Sequence, residues 1–180
     1  MNDPILIVPY DPHWPREFNA EKTRILMAVG LQVVALEHIG STAVVGLGAK
    51  PVIDLMVAVK ELGDAQACIQ PMIGLGYEYV PEFEAEMPER RYFRKGMPRT
   101  HQVHLVELKS EFWARHFLFR DYLRNHPEAS RAYEKLKRDL AAEFKHDRNG
   151  YTDAKTAFIK SVEALANTEA RTTVKHAELP

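Results

Sequence analysis

The chain has 180 residues, enough for one domain with its own core, and 24 Lys plus Arg against 25 Asp plus Glu leave a formal net charge of −1. That balance argues against a non-specific grip on duplex DNA or an anionic membrane surface. A single cysteine, Cys68, excludes an internal disulfide framework and reads as a small buried apolar residue in a reducing compartment. No apolar run approaches the roughly 20 residues needed to span a bilayer, and the stretch MNDPILIVPYDPHWP lacks a basic leader followed by an apolar core. A soluble, cytoplasmic protein is expected.

Ile5 to Val8 is a short apolar run closed by Pro9, Asp11 and Pro12. Asp11 is placed to cap a helix with Pro12 as its first residue, where the missing N–H costs nothing. Trp14, Phe18, Ile25, Leu26 and Val29 follow helical spacing, and Gly30 stands where that helix should end. Gln32 to Ile39 is β-rich and runs into Gly40 and Ser41, a strand-end turn whose backbone N–H groups can face an anion. Gly46 to Pro51 superficially suggests a phosphate loop, but Pro51 occupies the place of the magnesium-binding hydroxyl and a strand follows instead of a helix. It reads better as a tight connection, with Lys50 either solvated or turned toward the site.

Val52 to Val59 is apolar on both faces, as in a strand covered on both sides, yet it carries Asp54. An ionised carboxylate taken out of water without a partner costs several kcal/mol or more, so Asp54 needs a cation, donors or a proton. Backbone or hydroxyl donors, or an arginine, would satisfy it without chemistry; a ligand or ion from outside would make it a functional centre.

Asp64 to Leu75 has helical spacing with Pro71 expected to distort or end it, and Tyr77 to Val80 reads as a short strand. Pro81 to Glu89, with four glutamates and two prolines, is expected as a surface loop, a solvated connection or a lid. Arg91 to Lys95 and His101 to Val106 read as a hairpin around Gly96 to Pro98, with Arg91, Phe93 and Lys95 on one face of the first strand and Gln102, His104 and Val106 on one face of the second. From Ser110 the pattern is helical: Phe112 to Phe119 gives an apolar stripe, Pro127 opens a second helix that Asn149 and Gly150 end, and Thr152 or Asp153 opens a third. Residues 1–166 are expected as one compact unit. From Asn167 to Pro180 the apolar spacing is lost and a frayed tail is expected.

HIGSTAVVGLGAKPVIDLMV, PYDPHWPREF, FRDYLRNHPE and YTDAKTAFI together resemble the GrpB family of bacterial proteins, over nearly the whole chain up to about Val162. The resemblance implies an α/β (α+β) fold similar to the nucleotidyltransferase superfamily, a mixed sheet flanked by helices, with further helices at the C-terminus. That superfamily pairs a Gly-Ser turn with a strand bearing two acids one residue apart and a third acid on a later strand. Gly40, Ser41 and Asp54 match; Met56 stands at the second acidic position and His104 lies in the middle of the third-acid strand.

The implied function is a divergent nucleotidyltransferase-like protein that binds a nucleotide or other phosphorylated small molecule with a divalent metal. Gly40 and Ser41 would hold phosphate oxygens. Asp54, with help from His104, would serve as the catalytic and metal-binding pair, taking Mg or Mn, or Zn where imidazole assists. Lys50, Arg91 and Lys155 are charge clamps in this reading, and Tyr151 either stacks on a base or is a buried structural tyrosine. Met56 cannot ligate magnesium, which puts two-metal nucleotidyl transfer in doubt. The alternative is a non-catalytic ligand-binding or accessory module near coenzyme A metabolism, because domains of this family occur fused to dephospho-coenzyme A kinase. A structural zinc site is weaker, since four close ligands are not evident.

Overall fold

The computed structural model describes residues 4–177, with side chains described up to residue 170. Its centre is a five-stranded mixed sheet in the order β1 (Val33–Ile39), β2 (Ile53–Val59), β5 (His101–Glu107), β4 (Arg90–Lys95), β3 (Glu78–Tyr79). β2 runs parallel to β5, and every other neighbouring pair is antiparallel. Two central strands must be covered on both faces, which is why β2 is apolar throughout except at Asp54.

One face of the sheet presents Ile53, Leu55, Val57, Phe93, Val103 and Leu105 to Trp14, Phe18, Ile25 and Val29 of α1 (Trp14–Val29) and to Cys68, Ile69 and Met72 of α2 (Gln66–Gly74). The other face presents Ile39, Met56 and Val106 to Phe112 of α3 (Glu111–Asn125), with Trp113 and Phe117 packed alongside. Three further helices, α4 (Pro127–Phe144), α5 (Arg148–Ala154) and α6 (Thr156–Ala177), gather at one end of the sheet. There Tyr133 packs with Val44, Leu47 and Leu123, and Tyr151 packs with Ile5, Ile7 and Leu140.

Several boundaries differ from the sequence expectation for local reasons. α1 opens at Trp14 rather than Pro12: Asp11 binds the His13 amide at 2.8 Å, which holds residues 11–13 as a turn, and Pro15 takes the first-turn proline position. Pro71 lies inside α2, which continues to Gly74. α4 ends at Phe144, where Lys145 turns to φ 46°, so Asn149 and Gly150 fall within α5 instead of terminating α4. Gly150 is there for packing, since a Cβ would come within 2.6 Å of the Phe144 ring. α6 continues to Ala177 past Asn167, where the apolar spacing stops; Ala166 is its last buried residue among those with described side chains. The expected tail from Asn167 is helical as far as Ala177, and residues 178–180 lie outside the described residues.

Candidate functional site

β1 ends at Ile39, and Gly40 turns the chain with φ +72° and ψ −174°, a conformation that only glycine adopts readily. Residues Ser41–Ala43 then make one 3-10 turn, and the connection returns through Lys50 to β2. The β1–β2 register sets Ile39 beside Asp54. A Cβ on Gly40 would stand 2.3 Å from Asp54 Oδ2, so the glycine is the roof over one oxygen of the carboxylate.

The other oxygen is held from the opposite strand. The parallel register places Gln102 beside Asp54, and Gln102 Nε2 donates to Asp54 Oδ1 at 2.9 Å. Gln102 Oε1 in turn accepts from the Tyr92 hydroxyl and from Arg99 Nη1, the latter at 3.3 Å. Asp54 therefore already has an internal donor, a side-chain amide rather than the backbone, hydroxyl or arginine donors expected from the sequence. Burial pushes its pKa up to about 6, against the pull of Lys50, Lys155, the Gln102 bond and Arg99.

Cations outnumber this one acid. Lys137, on α4, is 2 % exposed and donates to Ser41 Oγ at 2.9 Å and to the Gly48 carbonyl at 2.5 Å, with its ammonium 4.8 Å from the Tyr133 ring centre. Lys50 and Lys155 are half-buried and both lie against the buried Tyr151 ring, at 4.9 and 4.4 Å from its centre. Burial, reinforced by Lys155 and then by other neighbouring cations, pulls Lys137 down to about 7. Burial and Lys50 pull Lys155 down to about 8, and Lys50 is lowered as well. Among the described residues none of these three lysines makes an ion pair. Burying three ammonium groups near one carboxylate is costly, and a further anion seated among them offsets that cost.

Of the residues singled out by sequence, Gly40, Ser41, Lys50, Asp54, Tyr151 and Lys155 come together at this end of the sheet. His104 does not pair with Asp54. It sits beside Met56 in the β2–β5 register, and its Nδ1 is 2.9 Å from Arg90 Nη1 among the rings of Tyr92, Phe112 and His116. Burial and the Arg90 charge hold it well below the ordinary imidazole range, hence neutral. Arg91 registers with Leu105, on the sheet face opposite Asp54, and bonds Glu84 and the Pro88 carbonyl. Tyr151 is 1 % exposed and leaves no ring face for a base to stack on.

Sequence reasoning missed Lys137, Tyr133 and Arg99. Lys137 had a readable signal: it follows Leu136, lies four residues after Tyr133 and three before Leu140, on a stripe that faces inward.

The donor set does not fit a divalent ion. Among the described residues no three His, Cys, Asp or Glu side chains are grouped as metal ligands. Met56, at the second acidic position, is fully buried in hydrocarbon, and Gln102 points an N–H at the one carboxylate.

The chain is 42% identical over 176 residues to a UPF0157 protein of Pseudomonas aeruginosa, covering 93% of this chain and 70% of that one. The crystal structure of the conserved protein GrpB from Enterococcus faecalis superposes with a TM-score of 0.84 at 35% identity, over 92% of this chain and 99% of that one. The Cid1 poly(U) polymerase superposes with a TM-score of 0.50 at 13% identity, over 76% of this chain and 43% of that one, a likeness of fold alone. A dephospho-CoA kinase of Mycolicibacterium paratuberculosis is 26% identical over 181 residues, covering 87% of this chain and 44% of that protein. With the family model described as GrpB protein matching residues 4–165, and with relatives this similar along most of their length, the chain belongs to the GrpB family.

Proposed function

We propose that this protein binds the phosphate end of a small molecule, a nucleotide among the candidates, at the turn between β1 and β2. The carrying observation is the surplus of buried and half-buried ammonium groups: Lys50, Lys137 and Lys155 against the single carboxylate of Asp54, none of them ion-paired among the described residues. The Ser41 hydroxyl, positioned by Lys137, serves as a further phosphate contact. A fold shared with nucleotidyltransferases supports a nucleotide, and Met56 in the second acidic position weighs against transfer.

A second reading is favoured by the kinase relative. As a non-catalytic module, the same lysines would grip the pyrophosphate of a dephospho-coenzyme A-like ligand. Thermal melting with ATP, inorganic pyrophosphate and dephospho-coenzyme A tests both. A rise in melting temperature is expected with each ligand that binds, and pyrophosphate should displace ATP in a direct binding titration. Flat curves for all three, with and without magnesium, would sink the phosphate reading.

A further inference from the structure

We infer that the phosphate site works without a divalent cation: the ammonium groups of Lys50, Lys137 and Lys155 take the place of the metal, and the ligand is recognised as a free pyrophosphate or triphosphate anion. This rests on the phosphate reading above and adds to it the chemical form of the ligand.

In a metal-dependent phosphate site, several carboxylates make the pocket negative, and the ion bridges that charge to the phosphate oxygens. Here the sign is reversed. Lys50, Lys155 and Arg99 face one acid and Lys137 stands near the two lysines, so the site already carries the charge that a magnesium ion would supply. The position that would complete a two-acid ligand set is Met56, fully buried beside Ile39, Val106 and Phe112, where a hydrated ion has no place. The strand that would bring a third acid brings Gln102 instead, and its N–H group occupies the Asp54 oxygen that a metal would need. The second Asp54 oxygen lies under Gly40. Asp54 is thus fitted to position Gln102 and to moderate the repulsion between Lys50 and Lys155, and the phosphate oxygens are left to the lysines and Ser41. Lys137 carries the most weight, because it reaches Ser41 from α4 and forms no ion pair among the described residues.

The two roles for Asp54 give opposite signs in one substitution. If Asp54 held a metal, Asp54→Asn would abolish ligand binding. If it is a negative charge beside an anion site, Asp54→Asn should tighten binding. The experiment is titration calorimetry with inorganic tripolyphosphate and with ATP, each in excess EDTA and in excess magnesium. Binding in EDTA at least as tight as in magnesium is expected, since magnesium screens the charge that the lysines recognise. A several-fold gain is expected for Asp54→Asn, with a tenfold or greater loss for Lys137→Met. Lys155→Met, at a half-buried position, should weaken binding several-fold and guards against a folding defect in the first lysine variant. Binding that appears only with magnesium or manganese, or a loss of binding in Asp54→Asn, would overturn the inference while leaving the phosphate reading intact. No binding under either condition overturns both.

Discussion

Arg120 and Lys137 are both helix-borne cations buried against the same end of the sheet, 7 % and 2 % exposed, and the chain treats them in opposite ways. Arg120 completes its bonding internally: it bonds Asp121 at 2.7 Å, Glu37 at 3.2 Å and the His38 carbonyl at 3.0 Å, and lies over the Phe117 ring. Lys137 meets a hydroxyl, a carbonyl and the Tyr133 ring, with no carboxylate bonded to it among the described residues. The nearest acid in its own helix, Glu134, is taken up by the Gly48 amide and Arg138. A closed arrangement of this kind needs nothing further and holds structure together; an open one is costly to the fold and has a purpose only if something anionic arrives.

Gly40 is where the two regions meet, so it carries the largest expected effect. Gly40→Ala should cost about 2–3 kcal/mol or more from backbone strain and from displacement of the Asp54 carboxylate, read as a lowered denaturation midpoint. Arg120→Met comes next. By leaving the His38 carbonyl and Glu37 without their guanidinium partner it should destabilise by about 2 kcal/mol, whereas Lys137→Met should stay within about 1 kcal/mol because the lost hydrogen bonds are offset by removal of a buried charge. Equal losses for the two would break the contrast.

Asp54→Asn sharpens it through pH. The Asp54 carboxyl is raised in the folded protein to about 6 from an ordinary 3.8, so the folded state holds more protons between those values and its stability falls as pH rises through that window. The asparagine variant should therefore be more stable by about 1–2 kcal/mol at pH 7, with the difference vanishing below about pH 4 in urea titrations. The smallest effect belongs to Arg91→Ala, a partly exposed ion pair on the far face of the sheet, expected to cost under about 0.5 kcal/mol and to leave phosphate binding unchanged.

Much of the fold was legible because periodicity survives tertiary context. The two-sided apolar run of β2, the hairpin of β4 and β5, and the Gly-Ser turn could each be read from spacing alone. What a hairpin cannot reveal is which of its faces meets the rest of the sheet. Alternation groups Gln102 with His104 on one face of their strand, but only the pairing of β5 with β2 shows that Gln102 belongs to Asp54 and that His104 belongs one step further along with Met56. Lys137 drew no attention in the sequence because lysines on helices are usually solvated. Its place on the Tyr133 to Leu140 stripe was the contrary sign, and its partner Ser41 lies 96 residues away, beyond any local pattern. Asn149 and Gly150 misled for the converse reason: their turn-forming character is real, but Gly150 serves close contact with Phe144.

The lysines reach one place from the β1–β2 connection, from α4, and from the junction of α5 and α6. A molecule gripping all three would clasp the early half of the chain to the late half, so occupancy would be felt as slower amide exchange across α4, α5 and α6 together, far from any atom that it touches.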